Sequence, residues 1–182
     1  KAAVSLFGGH VLSFVPAGFD DVLWMSPTTK RPPDPLRGGI PVCWPYFAKQ
    51  GQPADAPQHG LVRTLQWQVT HAQQNADGEI ALALAAPAVE GVPMSLILTM
   101  RIGRALEQAL TTVNLGDETV RFTQALHTYF RVGDARRVHV TGLNGVTYAD
   151  KFDDFNEHTQ NGNWDLHDAR DPGRSDRIYA DA

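Results

Sequence analysis

Three clusters in this sequence have the residue types for chemistry. Arg37-Gly38-Gly39-Ile40-Pro41-Val42-Cys43-Trp44-Pro45-Tyr46-Phe47 places a cation ahead of two glycines, two stiffening prolines and three aromatic rings. Gln58-His59-Gly60-Leu61-Val62-Arg63 follows with an imidazole and a second guanidinium. Ala125-Leu126-His127-Thr128-Tyr129-Phe130 carries the third candidate, His127. Guanidinium forks hold phosphate or carboxylate oxygens, and aromatic rings cover the apolar face of a sugar. Arg37, His59 and Arg63 therefore suit a polyhydroxylated, anionic ligand. An imidazole titrates near neutrality and can give or take a proton at working pH, the requirement for a general acid such as His127.

Each candidate has a plainer reading. His127 alternates with Leu126 and Phe130, onto a face shared with Arg121, Thr123, Tyr129 and Arg131. A hydrogen-bonded surface histidine would fit there equally. His59 and Arg63 would also fit a solvated loop. Trp44 and Tyr46 could pack on a sugar or belong to the core. Cys43, the only cysteine, lies between Val42 and Trp44 and reads as a small buried apolar residue rather than a nucleophile. Asp150-Lys151 and Asp176-Arg177 pair carboxylates with cations. Such pairs are usually surface ion pairs of little weight, although Asp176 could also orient a hydroxyl.

Other chemistries lack their patterns. The 7 histidines show no close ligand spacing, so a metal-dependent β-barrel enzyme is the weakest reading. Gly38-Gly39 lacks the lysine and spacing of a phosphate loop, and Gly-x-Ser-x-Gly is absent. A formal charge of -4 without a basic stripe argues against nucleic acid. No apolar run approaches the ~18 residues of a membrane helix. A lone cysteine agrees with a reducing, cytoplasmic setting.

The elements that must position these residues read as strands. Ile80, Leu82 and Leu84 alternate with smaller residues. Met94, Leu96, Leu98, Met100 and Ile102 share a face. Residues 105–115 would tolerate a helix, but their Thr-Thr-Val ending and flanking strands favour a strand. Val120, Phe122, Leu126 and Phe130 form a further apolar face, and Val138 with Val140 continues the pattern. Turn signals such as Asp77-Gly78 and Asn144-Gly145 punctuate the runs. Period two with frequent turns predicts an all-β, antiparallel sandwich or barrel. Two stretches, Pro27–Gln58 and Phe152–Ser175, do not read as strand. With 182 residues, 42% of them hydrophobic, the chain fits one domain over 1–182. It begins without Met and ends in strand-like alternation, which reads as a cut through a fold.

Taken together and in this order, the motifs resemble the glucose-6-phosphate 1-epimerase family, a branch of the aldose 1-epimerase-like proteins. They are residues 37–47, His-Gly-Leu-Val-Arg (59–63) with Trp67, residues 125–130, Gly-Leu-Asn-Gly-Val-Thr-Tyr-Ala-Asp-Lys (142–151) and Asp-Arg-Ile-Tyr (176–179). The resemblance runs from about Gly8 to Ala182. It implies a galactose-mutarotase-type β supersandwich and an isomerase that interconverts the α and β anomers of a hexose 6-phosphate. It implies no cofactor and a small sugar-phosphate substrate, with a monomer or weak homodimer expected. By this resemblance His127 matches the catalytic histidine. Arg37 and Arg63 match arginines of the sugar phosphate, and His59 and Asp176 match residues at the sugar. The family's second catalytic group is a glutamate on a strand beyond the Asp-Arg-Ile-Tyr motif, and no glutamate of this chain lies in that context. The expectation is thus an N-terminal portion whose second carboxylate lies beyond residue 182. The alternative is a non-catalytic carbohydrate-binding β-sandwich.

Overall fold

A computed structural model describes residues 1–49, 51–166 and 175–180. The regular structure among them is strand with three short 3-10 turns and no α-helix, arranged in antiparallel sheets as the alternation predicts. The chain divides into two compact units, Lys1–Arg131 and Val132–Ala182.

In the first unit, β1 (Ala2–Ser5) pairs with β2 (His10–Phe14), and β3 (Val42–Cys43) pairs with β8 (Ala125–Leu126). A four-stranded meander is built from β4 (Gln68–Gln74), β5 (Ile80–Ala85), β6 (Met94–Ile102) and β7 (Leu106–Asn114) in sequence order. The ambiguous stretch at 105–115 is strand. Its pairing with β6, from Ile102 opposite Leu106 to Met94 opposite Asn114, is unbroken. A helix there would forfeit that ladder and turn half the apolar residues away from the core.

The alternation in β6 becomes burial. Met94, Leu96, Leu98 and Met100 are buried, whereas Thr99 and Arg101 face outward. The inward residues join Val11, Phe14, Leu23, Ile40, Val42, Trp44, Val62, Trp67 and Leu84 in one apolar cluster. Fully burying a side chain of this size contributes roughly 1.5–3 kcal/mol. Trp44 and Trp67 must also satisfy their indole N–H groups. Trp44 Nε1 donates to Thr112 Oγ1 at 3.0 Å, and Trp67 Nε1 donates to the Val62 carbonyl at 3.1 Å.

In the second unit, β9 (Thr147–Asp150) is the central strand between β10 (Asn156–Thr159) and β11 (Arg177–Tyr179). Three sequence expectations are corrected here and at the end of the first unit. Residues 135–137 form a 3-10 turn, in which the Asp134 carboxylate accepts the Arg136 N–H. That local hydrogen bond displaces the strand expected at Val138, and Val140 retains a single bridge, to Trp164. The polar stretch after Phe152 does contain a strand, β10, because backbone pairing with β9 needs no apolar face. The apolar face drawn through Val120, Phe122, Leu126 and Phe130 splits. Val120 and Leu126 pack on the core, while Phe130 is 70% exposed.

Candidate active site

The first unit gathers its candidate residues around the short β3–β8 ladder. Beyond that ladder the two chains stay side by side: the His127 N–H donates to the Pro41 carbonyl at 3.0 Å, and the Tyr129 N–H to the Gly39 carbonyl at 2.8 Å. The loop that begins at Arg37 is therefore held along the segment that carries His127.

His127 and Tyr129 lie on one face, as alternation requires, and their rings stack at 5.0 Å with planes 25° apart. Phe47 stacks with the same imidazole at 5.8 Å and 23°. His59 meets it edge to face, 5.4 Å between centroids and 71° between planes. Trp24 extends the group, 6.0 Å from Tyr129. The imidazole is half-buried. Stacked aromatic neighbours restrict its rotation while part of it stays open to solvent.

His59 is held by a local device. It takes a positive φ of 66°, uncommon for a residue with a Cβ. Its N–H donates to the Ala48 carbonyl at 2.8 Å, and the Ala48 N–H donates back to His59 Nδ1 at 3.1 Å. Because Nδ1 accepts, a neutral His59 carries its proton on Nε2. The next residue, Gly60, also has a positive φ, and a Cβ there would lie 2.1 Å from the Trp44 carbonyl oxygen. Only glycine lets the chain press on Trp44 at that point and bring His59 back toward Phe47, 4.8 Å ring to ring.

Arg63 follows on a 3-10 turn (Val62–Thr64), where Nη1 reaches the Gln58 carbonyl at 3.5 Å. Its charge is felt at two buried groups. Burial pushes the Cys43 thiol up to about 11, with Arg63 opposing, so this buried sulfur is a poor thiolate and behaves as the small apolar residue its neighbours suggest. Burial also pushes His10 down to about 4, with a hydrogen bond to Gly38 opposing and Arg63 adding to the fall. Arg37 is exposed, and its guanidinium has no protein partner among the described residues. Its backbone is fixed by Thr29 Oγ1, which accepts its N–H at 2.8 Å, and by the Ser26 N–H, which donates to its carbonyl at 3.1 Å.

Asp176 belongs to the second unit. Its carboxylate pairs with Lys151 Nζ at 2.5 Å, and the Lys151 N–H donates to its carbonyl at 3.0 Å. The neighbouring Arg177 is buried in a polar network. Nη1 donates to Gln160 Oε1 at 3.0 Å, its charge lies 4.5 Å over the Tyr148 ring, and Asp150 is 3.8 Å away. The Tyr179 hydroxyl donates to the same Gln160 oxygen at 2.7 Å. This network fixes β11 and with it the backbone of Asp176.

Of the two readings open for Trp44 and Tyr46, burial selects the core. Trp44 and Tyr46, 1% and 5% exposed, are core residues. Phe47, 37% exposed, is the ring that reaches the histidines. Tyr129 was visible as the i+2 neighbour of His127, but His10 and Trp24 carried no local signal. Among the described residues no group of three or more His, Cys, Asp or Glu side chains is arranged to hold a metal ion.

Known proteins resemble nearly the whole chain. The chain is 36% identical to a protein of Escherichia coli (strain K12) named "Putative glucose-6-phosphate 1-epimerase" over 98% of its own length and 60% of the relative's. It is 33% identical to a Salmonella typhimurium protein of the same name, over the same shares. The crystal structure of a "putative mutarotase" from Salmonella typhimurium superposes with a TM-score of 0.84 at 32% identity, covering 98% of this chain and 59% of that one. The chain thus spans about 60% of the length of these two relatives. The aldose 1-epimerase family model matches residues 1–180, and with the fold and the motif order in agreement, this chain belongs to the aldose 1-epimerase family.

Proposed function

We propose that the protein interconverts the α and β anomers of a hexose 6-phosphate, with His127 as general acid. The observation that carries this reading is the placement of His127: half-buried, stacked between Phe47 and Tyr129, edge-on to His59, and beside the Arg37–Gly39 loop. Opening a pyranose requires a proton on the ring oxygen as the C1–O bond breaks and a proton leaves the anomeric hydroxyl. The open aldehyde rotates about C1–C2, and the same transfers in reverse close the ring on either face. His127 supplies the proton to the ring oxygen. Arg37 and Arg63 hold the phosphate by charge-assisted hydrogen bonds, and that remote grip orients the ring for proton transfer. His59 contacts sugar hydroxyls, and the resemblance gives Asp176 the same role. The base is a carboxylate, which the resemblance places on a strand after the Asp-Arg-Ile-Tyr motif.

No cofactor is needed for these steps. Residues 1–182 form the N-terminal portion of one epimerase-like domain in this reading, and the protein works as a monomer or weak homodimer in the cytoplasm without nucleic acid. None of the described helices is long and apolar enough to cross a membrane. A carbohydrate-binding sandwich without catalysis is disfavoured by membership in an epimerase family. The test is anomer exchange of glucose 6-phosphate by the full-length protein and its His127→Asn variant. Removing a general acid costs about 10²–10⁴-fold in rate. An unchanged rate in the variant removes the acid assignment, and sugar-phosphate binding with no rate enhancement in wild type favours the binding module.

A further inference from the structure

His10 has no part in the acid–base chemistry above, yet it is a titratable group 3% exposed beneath the Arg37 loop. It opens β2, and its Nε2 lies 2.7 Å from the Gly38 carbonyl oxygen. A carbonyl only accepts, so Nε2 carries the proton. The loop above it has almost no latitude. Gly38 and Gly39 have φ of 103° and 63°. A Cβ on Gly38 would lie 2.4 Å from the Trp24 carbonyl oxygen, and one on Gly39 would lie 2.2 Å from the Val11 carbonyl oxygen and 3.0 Å from His10 Nε2. Neighbouring peptides are held by backbone bonds, Gly39 N–H to Trp24 O and Ile40 N–H to Val11 O, each 2.8 Å. The Gly38 carbonyl is met by a side chain instead, and that side chain is His10.

We propose that His10 is a positioning residue for the phosphate grip: by donating to the Gly38 carbonyl it fixes the Gly38–Gly39 peptide, one peptide beyond Arg37, and so holds the loop from which the guanidinium projects. The Arg37 side chain makes no hydrogen bond or ion pair among the described residues, so what the fold fixes is the backbone position from which it reaches. Burial keeps the ring neutral, with Arg63 reinforcing that state, so His10 supplies a donor without adding a third charge next to the two arginines. A phosphate gripped from the Arg37 loop also pulls on the Gly38 carbonyl that His10 holds, and the imidazole reports anion binding from beneath that loop. This inference rests on the reading of Arg37 and Arg63 as the phosphate-holding pair.

The test compares His10→Met, which removes the donor, with His10→Gln, whose amide keeps one. In His10→Met, KM for glucose 6-phosphate and Kd for inorganic phosphate rise in parallel, by about tenfold for one buried hydrogen bond, while kcat stays within about twofold. His10→Gln recovers most of both affinities. A packing role alone would lower kcat as well, because Gly39 also pairs with the segment that carries His127. Nitrogen NMR of the wild-type imidazole gives a readout independent of variant folding: its signals shift saturably on titration with inorganic phosphate, and Nε2 stays protonated. Ring signals unmoved at phosphate saturation overturn the inference, as does a soluble His10→Met variant with unchanged KM or with kcat reduced as much as affinity. Where wild type turns over glucose 6-phosphate and His10 is silent, this inference alone falls. Where wild type neither binds phosphate nor speeds anomer exchange, the functional reading falls and takes this one with it.

Discussion

At the scale of single residues, the unusual investment is in two histidines whose protons are assigned by their surroundings. The Ala48 amide makes Nδ1 of His59 an acceptor, and the Gly38 carbonyl makes Nε2 of His10 a donor. His10 has a thermodynamic signature that follows from its burial. Its folded pKa is about 4 against an ordinary 6.5, so between those values the unfolded chain takes up a proton that the folded chain refuses. Stability is then fully present above about pH 6.5, declines as pH falls, and reaches its floor near pH 4. From pH 7 to pH 5 the expected loss from this residue is about 2 kcal/mol. Urea unfolding of wild type and His10→Gln at the two pH values measures it: the variant shows the shallower dependence. Parallel slopes would mean that the ring is not desolvated as described.

At the scale of elements, β6 and its partners hold the core, and the two faces of one strand should respond differently. Leu98 is fully buried at the centre of the meander, opposite Leu84 on β5 and Leu110 on β7. Leu98→Ala should cost about 2–5 kcal/mol. Arg101, on the outward face, bonds to Glu79 at 2.9 Å and Glu107 at 3.3 Å. Arg101 and Glu107 are solvent-exposed and Glu79 is half-buried, and Arg101→Ala should cost no more than about 1 kcal/mol. Chemical denaturation of both variants reads the contrast, and similar losses would contradict the burial pattern. The β3–β8 pair is shorter by far, and its importance is positional. Its two residue pairs, extended by hydrogen bonds from His127 and Tyr129, bring the arginine loop alongside the imidazole.

At the scale of the molecule, the two compact units are built on different principles. Every buried residue of the apolar cluster lies in the first unit. The second centres on polar contacts among Gln160, Arg177, Tyr179 and Asp150, with Tyr148 beneath the guanidinium. Local opening costs least where apolar burial is sparse. Hydrogen–deuterium exchange should therefore be slowest in β5 and β6 and faster in β9 and β10. Equal protection across the units would show that the polar network matches the apolar core in strength. The network fixes the geometry of β11, the strand that follows Asp176.

Strand alternation is a local property of the chain, and it determined the all-β class, β5 to β7, the inward faces of β6, and the shared face of His127 and Tyr129. The ordered motifs carried the family, because their residue types persist in sequence whatever surrounds them. Tertiary structure alone decided which aromatic ring serves the histidines. Trp44 and Tyr46 are drawn into the core where Gly60 lets two backbones touch, and Phe47 is left to face His127. It also decided the place of His10, since its partner carbonyl lies 28 residues away. The polar strand β10 depends on backbone pairing, and the turn at 135–137 on a carboxylate that caps it, and neither leaves a hydrophobic period to read. Periodicity records which face of an element is buried; what it is buried against is fixed only when distant segments meet.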